Sequence, residues 1–259
     1  MMPGRRAIVT GASKGIGRAI ATLLAQRGYA VGLVARSRDL LEALAQKLGQ
    51  ELGALAVALP ADLRDAARAR ELVETAVARL GGLDLLVNCA GATKRGDFFA
   101  LAHEDFLDGF ALKFHGAVAM TRAAWPHLRE SGSGHVLNII GAAARTPSAD
   151  FTIGGAVNSA LENFTKAMAD RGLADKVRVN AVHPGPIETE RLTGRIVQVA
   201  AEMKVDEGAA RAAMIKDQRV IRFGRPEEVA ELVAFVDSAA GAFLHGAVIE
   251  LDGGATKGL

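Results

Sequence analysis

Thr10-Gly11-Ala12-Ser13-Lys14-Gly15-Ile16-Gly17 is the stretch on which the fold turns. It follows the apolar run Ala7-Ile8-Val9 and opens a segment, 17–28, whose apolar residues recur at helical spacing. Three glycines therefore stand where a strand passes into a helix. Glycine at such a turn lets the backbone approach a pyrophosphate, and the helix N-terminus supplies positive potential. Out of context the same triplet is only a tight turn; its place after an N-terminal strand favours a dinucleotide site.

Outward from that turn the pattern repeats. Short apolar runs at 7–9, 31–34, 54–59, 83–87, 136–140, 177–182 and 248–251 alternate with Ala- and Leu-rich helical stretches at 17–28, 40–52, 66–80, 105–128, 157–171 and 226–237. Strand and crossover helix in alternation predict an α/β fold: a Rossmann-like, doubly wound parallel sheet of about seven strands with helices on both faces. No linker or low-complexity tract divides the chain, so residues 1–259 are expected to form one domain, with a helical insertion at 188–218 as a substrate lid.

Composition excludes several functions. The 31 basic and 29 acidic residues leave a net charge of +2, with no block of like charge to suggest a nucleic-acid partner. Cys89 is the only cysteine and the six histidines have no paired ligand spacing, which indicates neither a disulfide nor a metal. No apolar run is long enough to span a bilayer and no signal-peptide core follows Met1, so the expected setting is cytoplasmic and the expected partner a small-molecule substrate. The second strand ends at Ala35-Arg36. An acidic residue there would bond the adenosine ribose and exclude a phosphate, whereas Arg36 can pair with one; with Lys14 in the glycine turn it favours NADP(H) over NAD(H). Taken singly, each of these cations also reads as solvated surface charge.

The order of motifs resembles a known family. Thr10 through Gly17, Asp62, Asn88-Cys89-Ala90-Gly91, Arg178-Val179-Asn180, Pro184-Gly185-Pro186-Ile187-Glu188-Thr189, Arg225-Pro226-Glu227-Glu228-Val229-Ala230 and Asp252-Gly253-Gly254 together resemble the short-chain dehydrogenase/reductase family over nearly the whole chain. The resemblance implies an oxidoreductase that binds NADP through Gly11, Ser13, Lys14, Gly15, Ile16, Gly17 and Arg36. It further implies Asp62 at the adenine, Asn88 and Gly91 beside the cofactor, and Pro184, Gly185, Ile187 and Thr189 along the nicotinamide. It also implies a homodimer or homotetramer built through the helices near 105–128 and 157–171. Asp62 has an alternative reading as a cap of the following helix, and Asn88 as a tie between strands.

The family's four catalytic positions align with Lys113, Gly141, Gly154 and Asn158, in place of asparagine, serine, tyrosine and lysine. Tyr29, the only tyrosine, lies near the second strand and far from that site. Two glycines for serine and tyrosine remove side-chain volume and predict an enlarged pocket in which an ordered water can carry the proton. Lys113 and Asn158 look like an exchange of side-chain types between facing helices, which makes Lys113 the leading proton donor; the alternative is a lysine turned to solvent or an interhelical ion pair. His115, Asp150 and His183 are runners-up, with His115 expected to face elsewhere, Asp150 to cap a helix and His183 to contact backbone. Lys94, Arg95 and Arg145 come from loops bordering the cleft and suggest an anionic substrate, whereas Phe98, Phe99, Phe151 and the 192–199 segment suggest an apolar one. Two functions stay open: an NADP-dependent oxidoreductase with non-standard acid–base chemistry, and a dinucleotide-binding protein or assembly subunit without catalysis. A lyase or isomerase step with the cofactor as scaffold is a third.

Overall fold

In the computed structural model, which describes residues 4–257, the apolar runs form one seven-stranded parallel sheet of order β3-β2-β1-β4-β5-β6-β7. The strands are β1 (Arg6–Thr10), β2 (Ala30–Ala35), β3 (Ala56–Pro60), β4 (Leu85–Asn88), β5 (His135–Ile139), β6 (Arg178–Pro184) and β7 (Val248–Leu251). The order reverses between β1 and β4, and the C-terminal ends of these two strands mark the switch point at which open α/β sheets bind ligands. The ends 1–3 and 258–259 of the expected domain, including the start of the chain where no signal sequence is expected, lie outside the described residues.

Helices cover both faces. α1 (Gly15–Gln26), α2 (Arg38–Leu52) and α9 (Pro226–Asp237) pack on one face, burying Ile20, Leu24, Leu41 and Val233 against Val9, Leu33 and Val182. α3 (Arg68–Leu80), α5 (Gly116–Glu130) and α6 (Thr152–Asp175) cover the other, where Val73, Met120 and Leu128 meet Ile8, Leu86 and Val136. Sheet strands buried on both faces explain why the runs are continuously apolar rather than alternating. The insertion before the last crossover is two helices, α7 (Glu190–Met203) and α8 (Glu207–Asp217), which close a small core of their own around Ile196, Met214 and Phe223.

One expectation fails in a useful way. The stretch 105–128 is not a single helix: α4 (His103–Phe110) passes into a π-helical turn, Ala111–His115, before α5 begins. A π turn inserts an extra residue into the ladder and re-aims the side chains beyond it, and Lys113 sits at its centre. Among the described residues no helix is long and apolar enough to cross a membrane, and no group of His, Cys, Asp and Glu is placed to hold a metal.

Candidate active site

The glycine turn has the shape that a dinucleotide requires. Gly11 adopts φ +71° with its Cα against Cys89 and Ala90 of the turn after β4, and a Cβ at Gly17 would lie 2.3 Å from the Gly11 carbonyl oxygen. The first turn of α1 has no side-chain cap at Lys14 and no acidic residue. Its leading N–H groups, those of Gly15, Ile16 and Gly17, thus have no intrahelical acceptor and face the crevice with the helix dipole behind them. Thr10 ties the two lips together, its Oγ1 accepting from the N–H groups of Cys89 and Ala90 at 2.9 Å each. From the opposite side, the Thr189 methyl comes within 3.0 Å of where a Gly15 Cβ would be. Arg36, just past β2, and Lys14 are exposed, and neither forms an ion pair among the described residues. The cradle therefore fits a diphosphate at Gly15–Gly17 and a further phosphate at Arg36.

Asp62 does not cap a helix, since α3 begins at Arg68; its Oδ1 accepts from the Arg64 N–H at 3.0 Å and from the Arg64 guanidinium, which also pairs with Asp108. Asn88 ties β4 to β5 and α5, Nδ2 donating to Thr121 Oγ1 at 3.1 Å and Asn138 Oδ1 at 2.9 Å, while its own Oδ1 is buried without a partner. Ile187 bridges to Gly224, and Gly185 donates to Leu251, so the 184–189 segment is pinned at the mouth of the crevice.

Of the four positions aligned with the family's catalytic residues, Lys113, Gly141 and Asn158 meet at the end of β5, and Gly154 lies one turn before Asn158 on α6. Lys113 reaches across the Gly91 Cα, where an added Cβ would lie 2.8 Å from Lys113 Cδ, and its ammonium donates to the Ile140 carbonyl. That carbonyl is free for a reason written in the sequence. Ile140 N–H donates to Val182 O at 2.9 Å, and the next rung of a parallel ladder would run from residue 184, but Pro184 has no N–H. Asn158 Nδ2 approaches the following carbonyl, Gly141 O, at 3.4 Å, and Asn158 Oδ1 is buried and unpartnered. Lys113 and Asn158 thus converge on consecutive carbonyls. Burial, and next the Arg191 charge, lower the Lys113 ammonium to about 8. Burial pushes the Cys89 thiol beside it up to about 12, which keeps it neutral.

Residues 5–200 match the short chain dehydrogenase family. The chain belongs to it. Among relatives, it is 35% identical over 251 residues to an uncharacterized oxidoreductase of Mycobacterium tuberculosis, covering 96% of this chain and 91% of that protein. It is 34% identical to the cis-4-hydroxycyclohexanecarboxylate dehydrogenase of Sinomonas cyclohexanicum, covering 97% of this chain and 96% of that one. Among solved structures, the L-sorbose reductase of Gluconobacter frateurii, in complex with NADPH and L-sorbose, superposes with a TM-score of 0.94 at 28% identity, covering 99% of this chain and 98% of that one.

Against this short-chain dehydrogenase frame several expectations are corrected. The pocket is not enlarged at Gly154: a Cβ there would lie 2.1 Å from Phe151 Cζ, so the Phe151 ring occupies the space expected to be vacated there, while the Asn158 amide lies 3.1 Å from where a Gly141 Cβ would be. Lys113 is neither turned to solvent nor in an interhelical ion pair, its ammonium being held at Ile140 O. Nor are the loop cations free. Lys94 pairs with Asp105 at 2.8 Å, Arg95 with Asp150 at 2.6 Å while stacking on Phe151 at 4.1 Å, and Arg145 with Glu162 at 2.7 Å. Phe98 and Phe99 pack edge to face and stay exposed, Phe99 at 92%, and Leu192 and Val199 pack within the α7–α8 core.

The runners-up separate clearly. His115 is exposed and edges against Phe114, facing elsewhere as its spacing predicts. Asp150, rather than capping α6, holds Arg95 and Ser148. His183 contacts carboxylates instead of backbone: it is fully buried, 3.5 Å from Glu162 and 3.3 Å from Glu250, and Arg145 pairs with both. Tyr29 is indeed remote, its hydroxyl donating to Asp237 at 2.7 Å near the N-terminal ends of the strands. One residue escaped the sequence reading. Arg191, in the first turn of α7, crosses the crevice and donates from Nη2 to Gly91 O at 2.8 Å. Its one sequence signal is a cation at a helix N-terminus, where the dipole disfavours it.

Proposed function

We propose that this chain is an NADP(H)-dependent oxidoreductase acting on a carbonyl or alcohol, in which Lys113 takes the part that the family gives to tyrosine. NADPH supplies the hydride in reduction, and the substrate oxygen must then receive one proton. Gly15–Gly17 and Thr189 hold the diphosphate, Arg36 with Lys14 the adenosine phosphate, and Asp62 stands at the adenine. Asn158 Oδ1, a buried acceptor without a donor, is placed for a ribose hydroxyl. Asn88, Gly91, Pro184, Gly185 and Ile187 frame the nicotinamide end. The observation that carries the reading is the Lys113 ammonium at the end of β5: one of its protons is held by Ile140 O, and two remain for a substrate oxygen or a bridging water. A proton donor near 8 is matched to neutral solution, where a positioned acid contributes about a hundred- to ten-thousand-fold. The reading includes α7 and α8 as the lid over 188–218, and a homodimer or homotetramer through the helices of 105–128 and 157–171.

A second reading, a dinucleotide-binding subunit without turnover, is favoured by two observations. Phe151 fills the place of the phenol, and the bond from Lys113 to the carbonyl left open by Pro184 is sufficient structural reason for the lysine. Following NADPH absorbance against a panel of aldehydes, ketones and oxo acids decides between them. Substrate-dependent oxidation that falls in Lys113→Met supports the first; tight NADPH binding with no turnover across the panel establishes the second.

A further inference from the structure

Five cations border the inner cleft, and their partners divide them. Lys94, Arg95 and Arg145 are each neutralised by a carboxylate. Lys113 and Arg191 have no acidic partner among the described residues, and the acids nearest to Arg191 in sequence are already engaged, Glu190 with Arg18 and Glu188 with Arg211. Both uncompensated cations meet at one residue: the Lys113 stem lies on the Gly91 Cα and the Arg191 guanidinium on the Gly91 carbonyl. Their mutual repulsion contributes to the lowering of Lys113, and the N-terminal dipole of the fourteen-residue α7 adds positive potential at the same place. Two like charges over one glycine are unfavourable in the isolated protein, and no acidic group pairs with either among the described residues. The arrangement becomes favourable when an anion enters.

We infer that the substrate is an organic acid, a carbonyl or alcohol compound bearing a carboxylate, and that Arg191 is the residue that selects it. The inference rests on the cleft being the substrate site proposed above. Arg191 presents a planar fork suited to a carboxylate, while the compact Lys113 ammonium suits a single reacting oxygen. The two cations thus divide the substrate between them: Arg191 holds the acid group at the lid, and Lys113 faces the oxygen that gains or loses a proton. Arg191 releases Gly91 O as it does so, exchanging a neutral acceptor for a charged one.

The same guanidinium chemistry could serve the cofactor diphosphate, and the test separates the two. With the protein saturated in NADP+, cyclohexanecarboxylate and its neutral isostere cyclohexanecarboxamide are titrated by calorimetry. The acid is expected to bind about tenfold tighter than the amide, as a charge-assisted bond to a guanidinium implies. Arg191→Gln should erase that ratio while leaving amide affinity unchanged, Arg191→Lys should keep part of it, and NADPH affinity should stay within about threefold in both variants. Equal binding of the two probes, binding of neither, or a ratio that survives Arg191→Gln would overturn the proposal. So would a large loss of NADPH affinity with the ratio intact, which would give Arg191 to the cofactor. Turnover is not the readout: acid preference without redox activity would sink the oxidoreductase reading alone, and turnover without acid preference would sink this one alone.

Discussion

The two ends of the sheet treat buried polar groups in opposite ways. At the N-terminal ends of the strands, Asp237, fully buried, accepts from Arg5 at 3.1 Å, from the Tyr29 hydroxyl at 2.7 Å and from His135 Nδ1 at 2.9 Å. Asn180 closes the circuit, donating from Nδ2 toward His135 Nε2 at 3.0 Å and to Leu244 O. Beside it, Arg6 and Asp84 form a second multiply bonded pair. Among the described residues, Arg5 Nε is the one buried side-chain atom left without a partner there. At the C-terminal ends Asn88 Oδ1 and Asn158 Oδ1 are buried without a partner, the nitrogens of His183 and the oxygens of Glu250 are buried without a hydrogen bond although the two side chains lie 3.3 Å apart, and Lys113 is held only by a backbone carbonyl. Buried polar atoms are normally satisfied, so a cluster of exceptions marks where a ligand or water completes the structure. One end holds the chain together, and the other waits for something to bind.

Breaking the satisfied end should have the largest effect. Asp237→Ala leaves Arg5, His135 and Tyr29 facing an empty position, and unpairing a buried charge network costs about 3–5 kcal/mol. Denaturant unfolding at neutral pH should show that loss with little change in cofactor affinity for the folded fraction. Burial works to raise the Asp237 carboxyl, but the His135 hydrogen bond and charge, with Arg5 and Tyr29, outweigh it and hold the group below its ordinary value. A depressed folded pKa stabilises above the unfolded value of about 3.9 and the benefit is lost as pH falls through the folded one. The deficit of Asp237→Asn against the parent should accordingly narrow in strongly acidic solution. His135 is also depressed, chiefly by burial, so the unfolded chain takes its proton first and stability declines as pH drops below about 6.5.

At the unsatisfied end the corresponding experiment changes activity and spares the fold. Lys113→Met keeps the stem that lies on Gly91 and removes the ammonium, so turnover on an identified substrate should fall about a hundredfold while NADPH affinity stays within a small factor. With the ammonium lowered to about 8, reduction, which needs the protonated form, should slow as pH rises through that value, and oxidation should speed up. A flat profile together with unchanged turnover would return Lys113 to its structural role at Ile140.

That contrast also explains what could be read beforehand. The glycine turn, the seven apolar runs and the strand–helix alternation are local patterns, and the sheet forms over them with ends shifted by a residue or two. The Asp237 circuit was invisible because its members are far apart in the chain: Tyr29 and Asp237 are separated by 208 residues, His135 and Asp237 by 102. The π turn was hidden by a helical apolar rhythm that runs unbroken over 105–128, since one extra residue in a ladder leaves no compositional trace. The filling of the Gly154 space depends on the loop before α6 folding the Phe151 ring back, a tertiary fact that no count of side-chain volume anticipates.

Restoring the family's side chains tests that last point. Gly154→Tyr must displace the Phe151 ring, and overpacking of this kind typically costs about 1–3 kcal/mol. Phe151→Ala in the same chain should recover most of it, whereas Gly154→Tyr with Asn158→Lys should stay both less stable and slow, because the phenol has no space and a second ammonium would enter beside Lys113. Rapid turnover of common ketones by that double variant, with parental stability, would show that Phe151 yields readily and that the site is an ordinary reductase site merely disabled.

The smallest effect is expected farthest from the chemistry, at the adenosine end of the unsatisfied side. Arg36 and Lys14 are exposed cations with no acidic partner among the described residues, and an exposed charge gains much less from pairing than a buried one. NADPH should nevertheless bind more tightly than NADH by at least several-fold, or about 1 kcal/mol, because a phosphate accepts two parallel bonds from a guanidinium. Arg36→Ala should reduce that preference without altering NADH binding or the melting temperature of the unliganded protein, and added salt should weaken NADPH more than NADH. Calorimetric titration of both cofactors against both proteins reads all of these. Equal affinities in the parent, or a preference untouched by the substitution, would mean that the phosphate is not selected at Arg36 and that the cleft's uncompensated charge begins only at Arg191 and Lys113.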